Sequence, residues 1–139
     1  MAKANAVEYE LNVNDQRFLA PQNMTKEIHN ALGKTLSVGE TAYVIYNNLA
    51  KYYALALKDL ENVTGETYQT LNIIGGGSKN QFLNELTAKY TGKQVITGPA
   101  EGTAIGNLMM QMVGLGKIEN VQAARKIIKK SFDINEVIL

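Results

Sequence analysis

At 139 residues, with 45% hydrophobic and 19% charged residues, the chain has the size and composition of one ordinary globular domain, far from the disordered and membrane classes. Its 14 basic and 13 acidic residues leave a net charge of +1, so no strong field draws it to nucleic acid or to an anionic membrane. The absence of cysteine and a single histidine, His29, exclude disulfides, thiolate zinc sites, a thiol nucleophile and any two-histidine metal motif. No run reaches the ~18 apolar residues of a membrane span and no secretory leader is visible, which makes a cytoplasmic protein the expectation.

Residues 7–13, Val7-Glu8-Tyr9-Glu10-Leu11-Asn12-Val13, alternate apolar and polar side chains and are read as a candidate strand. A short helix from about Met24 to Leu32 follows Pro21 and stops at Gly33, with His29 as a surface or half-buried residue on it. Ser37-Val38-Gly39-Glu40 has the spacing of a capping box, so a long helix begins there. Ala42, Ile45, Leu49, Tyr52, Tyr53, Ala56 and Leu60 recur at three- and four-residue steps, an apolar stripe that runs to about Leu60 before Thr64-Gly65 ends the helix.

Leu71 to Ile74 then reads as a short strand, broken by three glycines ahead of a helix from about Asn80 to Tyr90. Thr91-Gly92 ends that helix, and Gln94 to Thr97 makes a second strand. Gly98-Pro99 turns into a helix from about Ala100 to Leu115, and Asn120 caps a last helix. The order strand, helix, strand, helix predicts an α/β domain with a parallel pair joined by a right-handed crossover. Two strands are few for a sheet, which is why residues 7–13 are expected to supply a third.

The stretch Gly75-Gly76-Gly77 carries no β-carbon, so an anion or a flat ring can reach its main chain while the amides of the following helix point outward. A nucleotide is one reading; a tight turn packed on another backbone is the other. A phosphate-cradling Gly-Lys-Ser/Thr loop is absent, and Asn80 occupies the third small position of a dinucleotide fingerprint, which excludes a P-loop and disfavours a nicotinamide site. Gly102 and Gly106 lie four apart on one helix, which predicts close packing on that face, and Glu101 at the helix start is read as a structural cap. The Met109-Met110-x-Met112 cluster is read as core filling. No nucleophile with a base, acid pair or metal cluster emerges.

Residues 71–111, "LNIIGGGSKNQFLNELTAKYTGKQVITGPAEGTAIGNLMMQ", resemble the carboxy-terminal part of the FGGY carbohydrate kinases, and within that family its rhamnulokinase branch most of all. Asn14 to Met24, "NDQRFLAPQNM", resemble the segment before the first helix of the same region, so the likeness runs from about residue 7 to residue 134. The resemblance implies part of an actin- and hexokinase-like (ribonuclease H-like) ATPase domain, with short parallel strands, covering helices and the early strands missing. Residues 1–139 would be a single domain, a carboxy-terminal piece of the second lobe of a sugar kinase. It further implies ATP as the nucleotide, with magnesium in the full-length enzyme, and places the triple glycine Gly75-Gly76-Gly77 against the adenosine and α-phosphate, Gly76 nearest, with Asn80 reaching the ribose or base and Ser78 and Gly75 as neighbours in that turn.

The resemblance also marks what is missing: the first lobe, the sugar pocket and the catalytic aspartate, so the chain by itself is expected to bind nucleotide weakly and to transfer no phosphoryl group to L-rhamnulose. An exposed edge on the strand at 71–74 predicts a homo-oligomer, or pairing with residues 7–13. The rival expectation is a non-catalytic, self-associating regulatory or scaffold module.

Overall fold

A computed structural model describes residues 2–138, and two compact units are distinguished in it: residues up to 67 together with 89–91, and residues 68–88 together with those from 92 onward.

The first unit is built on two helices, α1 (Met24–Leu32) and α2 (Val38–Thr64). Asn23 caps α1 by accepting from the Lys26 amide at 3.0 Å, and α1 ends at Gly33 in left-handed backbone. The capping box ahead of α2 is formed: the Ser37 amide donates to Glu40 at 2.8 Å and the Glu40 amide donates to Ser37 Oγ at 3.3 Å. Hydrogen bonds from the Ser37 hydroxyl first, and from its amide second, hold the Glu40 carboxyl below its ordinary value of 4.5. A depressed folded-state value adds stability above the unfolded value and loses it as pH falls through the folded one. A carboxyl carbon titration of Glu40 is therefore expected to show a midpoint below that of free glutamate, and Glu40→Gln to remove that part of the acid-side loss of α2. A midpoint equal to that of free glutamate would contradict the box.

Residues 7–13 form no strand, a correction with a clear cause. Their alternation is real, since residues 7, 9, 11 and 13 are half-buried and 8, 10 and 12 exposed. The hydrogen-bond partner, however, is one side chain of α2: Asn48 Nδ2 donates to the Tyr9 carbonyl at 2.8 Å and Asn48 Oδ1 accepts from the Leu11 amide at 3.1 Å. Asn48 thus offers the donor and acceptor that a neighbouring strand would offer. The buried face of α2 also differs from the predicted stripe. It runs through Thr41, Val44, Asn47 and Asn48, while Tyr52, Tyr53, Ala56 and Leu60 are exposed. His29 is half-buried and tied in: its Nε2 accepts from the Leu36 amide at 3.3 Å and lies 3.1 Å from Thr41 Oγ1.

In the second unit the strands are β1 (Thr70–Ile73), β2 (Gln94–Thr97) and β3 (Asn135–Glu136). The helices are α3 (Gln81–Thr91), whose last turn is counted with the first unit, α4 (Gly102–Gly114) and α5 (Val121–Ser131). β1 and β2 pair in parallel, with Leu71 opposite Val95 and Ile73 opposite Thr97, as the strand–helix–strand order predicts. The third strand comes from the end of the chain instead: β3 pairs antiparallel to β2, Thr97 opposite Asn135, giving a mixed sheet in the order β1-β2-β3. Val95 on the central strand is fully buried. Ile105 and Met109 of α4 join Ile118 and Ala124 in a core cluster, whereas Met110 is exposed, so only part of the methionine group fills core. Among the described residues, no helix is long and apolar enough to cross a membrane.

Candidate functional site

Both parallel strands end in a glycine turn, and the two turns are tied together. The Gly98 amide donates to the Ile73 carbonyl at 2.9 Å and the Gly75 amide donates to the Pro99 carbonyl at 3.2 Å; the Gly98–Pro99 peptide is cis. Gly75 has φ +77° and ψ −163°, a region open in practice only to glycine. Gly98 has φ +95°, and a β-carbon on it would run into the Asp133 carbonyl oxygen. Bare backbone at Gly98 therefore admits the segment that leads into β3. At Gly76 and Gly77, by contrast, a β-carbon would meet no atom within 4 Å.

After Gly75 the chain makes a 3-10 turn, Gly76–Lys79, before α3. Ser78 folds back on the start of it, its Oγ donating to the Gly75 carbonyl at 2.7 Å. Asn80 caps α3 by accepting from the Leu83 amide at 3.1 Å, the alternative helix termination that short polar side chains supply. Asn84 Nδ2 donates to the Ser78 carbonyl at 2.9 Å. Among the described residues the one buried side-chain polar atom with no hydrogen-bond partner is Asn84 Oδ1, a state that costs about 1–3 kcal/mol.

A cleft of about 440 Å³ opens beside the turn, walled by Ser78 and Lys79, by Thr97 to Glu101, and by Phe132, Asp133 and Asn135 with Ile105 at its base in the core cluster. A second cleft of about 410 Å³ shares Ser78, Lys79, Thr97 and Asn135 and extends to Asn84, Glu85 and residues 136–138. Such volumes hold a small organic ligand, and a crevice beyond the carboxyl ends of parallel strands is where open α/β sheets bind one. The charges in the first wall are mixed, Lys79 against Glu101 and Asp133. The arrangement offers bare main chain, hydroxyls and one cation for binding, with no nucleophile set against a base.

Of the five residues singled out in the sequence, Gly75, Gly76, Gly77, Ser78 and Asn80, all share this one turn, and Ser78 lies in the wall of both clefts. Glu101 is at the start of α4, but its carboxylate makes no capping hydrogen bond and it lines the cleft, which corrects the reading as a cap. Gly102 packs closely, a β-carbon there reaching Ile74 at 3.4 Å, while Gly106 faces open space. Asn84, Asp133 and Asn135 gave no signal in the sequence. Asn84 reads as a polar position inside a helix, and the other two arrive only because β3 pairs with β2.

A family model described as the carboxy-terminal domain of the FGGY family of carbohydrate kinases matches residues 1–115. The chain is 46% identical over 129 residues to a rhamnulokinase of Bacillus subtilis strain 168, an alignment that covers 89% of this chain and 27% of that protein. It is 40% identical over 143 residues to a rhamnulokinase of Halalkalibacterium halodurans, covering 99% of this chain and 31% of the relative. A rhamnulokinase of Oceanobacillus iheyensis is 43% identical over 139 residues, with 96% and 30% covered. The chain thus spans less than a third of the length of the curated relatives it matches.

Proposed function

The chain belongs to the FGGY family of carbohydrate kinases, and from that premise we propose that it carries the adenosine-binding part of an ATP-dependent sugar kinase of the rhamnulokinase kind. Gly75, Gly76, Gly77, Ser78 and Asn80 form the surface on which the nucleoside and α-phosphate rest, within an actin- and hexokinase-like ATPase lobe. The observation that carries the reading is the open face of Gly76 and Gly77, where a β-carbon would touch nothing. Packing within this chain does not call for glycine at either position, whereas a flat purine or a phosphate approaching the main chain does. Of the five residues only Ser78 lines the 440 Å³ cleft, which opens beside the turn.

Bound ATP supplies the γ-phosphoryl group, which in the full-length enzyme passes, with magnesium, to a hydroxyl of L-rhamnulose to give L-rhamnulose 1-phosphate and ADP. The residues of this chain bind and orient. Ser78 and Asn80 hold the shape of the turn, and Lys79, in the wall of the cleft, gives the phosphates a cation. The 139 residues span less than a third of the relatives' length and set no nucleophile against a base in the cleft, so phosphoryl transfer by these residues alone is not expected. An ATP consumer of this kind works in the cytoplasm, with nucleotide and sugar as its partners.

Titration with ADP, followed by backbone amide signals, tests the reading. Shifts are expected at Gly75 to Asn80 and at Gly98 to Glu101, with a dissociation constant of about 1 mM. Gly76→Val is expected to abolish them. Shifts confined elsewhere, or sugar phosphorylation by the pure chain, would reject it. A second reading, a self-associating module without catalysis, is favoured by one observation: β1 ends the sheet and is paired on one side only. A dimer that takes no ADP in the same titration would favour that reading instead.

A further inference from the structure

We propose that Asn84 is a positioning residue for the nucleotide-binding turn, kept at a cost to the stability of the fold. The inference rests on the nucleotide reading above and names a residue that binds nothing itself. Asn84 is 2% exposed and lies in the first turns of α3, where its Nδ2 donates to the Ser78 carbonyl at 2.9 Å. Its Oδ1, equally buried, has no partner.

For stability alone this is a poor residue. An amide that satisfies one buried polar atom and strands the other loses more than a shape-matched apolar side chain would, provided the freed carbonyl can reach water. Ser78 is half-buried and lines both clefts, so water is at hand for it, whereas Asn84, though it borders the second cleft, keeps its Oδ1 buried. What asparagine supplies in return is placement. Gly76 and Gly77 have no side chains with which to anchor themselves. Of the ties on this stretch, the Gly75 amide to the Pro99 carbonyl holds its first residue to the neighbouring turn, Ser78 Oγ to the Gly75 carbonyl stays inside the turn, and Asn80 Oδ1 to the Leu83 amide is the cap of the helix itself. The bond from Asn84 fixes the Ser78 peptide to the body of α3, six residues along the chain. A turn held in one conformation before binding loses less entropy when the nucleotide arrives, and affinity rises by that difference.

The test compares the wild-type chain with Asn84→Leu, and with Asn84→Met as a more adaptable replacement should the leucine chain not fold. Three quantities are read: thermal unfolding, amide exchange without nucleotide, and the ADP dissociation constant. The expected result is a melting temperature equal to or above that of the wild type, faster exchange confined to the amides of Ser78 and Asn80, and ADP binding weaker by about tenfold. A lower melting temperature with unchanged exchange in the turn and unchanged ADP affinity would make Asn84 an ordinary core residue and overturn the proposal. Should the wild type take no ADP, the nucleotide reading fails and this inference with it. Should the wild type bind and both variants bind equally well, the inference alone fails.

Discussion

Gly98→Ala is expected to destabilise the second unit by about 3 kcal/mol or more. Two costs combine. Gly98 sits at φ +95°, where an L side chain is strained by roughly 1–2 kcal/mol. The new methyl also lands on the Asp133 carbonyl oxygen, a backbone atom that cannot rotate away. Relief requires residues 133–137 to lift from β2. That move breaks the bond from the Val137 amide to the Val95 carbonyl at 2.9 Å and the bond from Thr97 Oγ1 to the Asn135 carbonyl at 3.2 Å, each worth about 0.5–1.5 kcal/mol. Denaturant unfolding would show a lower midpoint, and exchange of the Val137 amide would rise before global unfolding does. A variant with the wild-type midpoint and a protected Val137 would mean that the terminal segment does not seat against Gly98.

Ile105→Ala is expected to cost about 2–5 kcal/mol, toward the lower end of that range. Ile105 is 8% exposed and belongs to the cluster with Met109, Ile118 and Ala124, so shortening it removes apolar contact on several sides. It also lines the cleft, and the space left behind is open to solvent on that side, which limits the penalty of an empty cavity. Met110→Ala, on the outer face of the same helix and 53% exposed, serves as the control and is expected to stay within about 0.5 kcal/mol. Equal losses at the two positions would place the core on the wrong face of α4. Because Ile105 and Gly98 both line the cleft, both variants are also expected to broaden the ADP-dependent amide signals of residues 98–101.

Helix ends were legible because their signals are local. The Ser37–Glu40 pair and Asn120 each satisfy backbone donors within a few residues, and Gly33, Gly65 and Gly92 each end a helix in left-handed backbone. The parallel pairing of β1 with β2 was legible for a similar reason, since a helix between two short apolar runs leaves few ways to bring them together. The alternation of residues 7–13 is real but was read as a strand, and periodicity does not say whether the partner is a strand or the side chain of Asn48. On α2, apolar side chains marked a stripe, yet the buried face is the one carrying Asn47 and Asn48, whose hydrogen bonds with Tyr90 and with the Tyr9 carbonyl no count of apolar residues registers.

By itself, the sequence determined the five helices, the parallel strand pair and the glycine turn, together with a likeness strong enough to name the family, because all of these depend on near neighbours or on order along the chain. Tertiary structure alone decided that the last residues complete the sheet, that Gly98 yields space to Asp133, and that Asn84 reaches back to the turn. Those contacts join residues that adopt their positions only after the elements have packed, and no spacing in the chain encodes them.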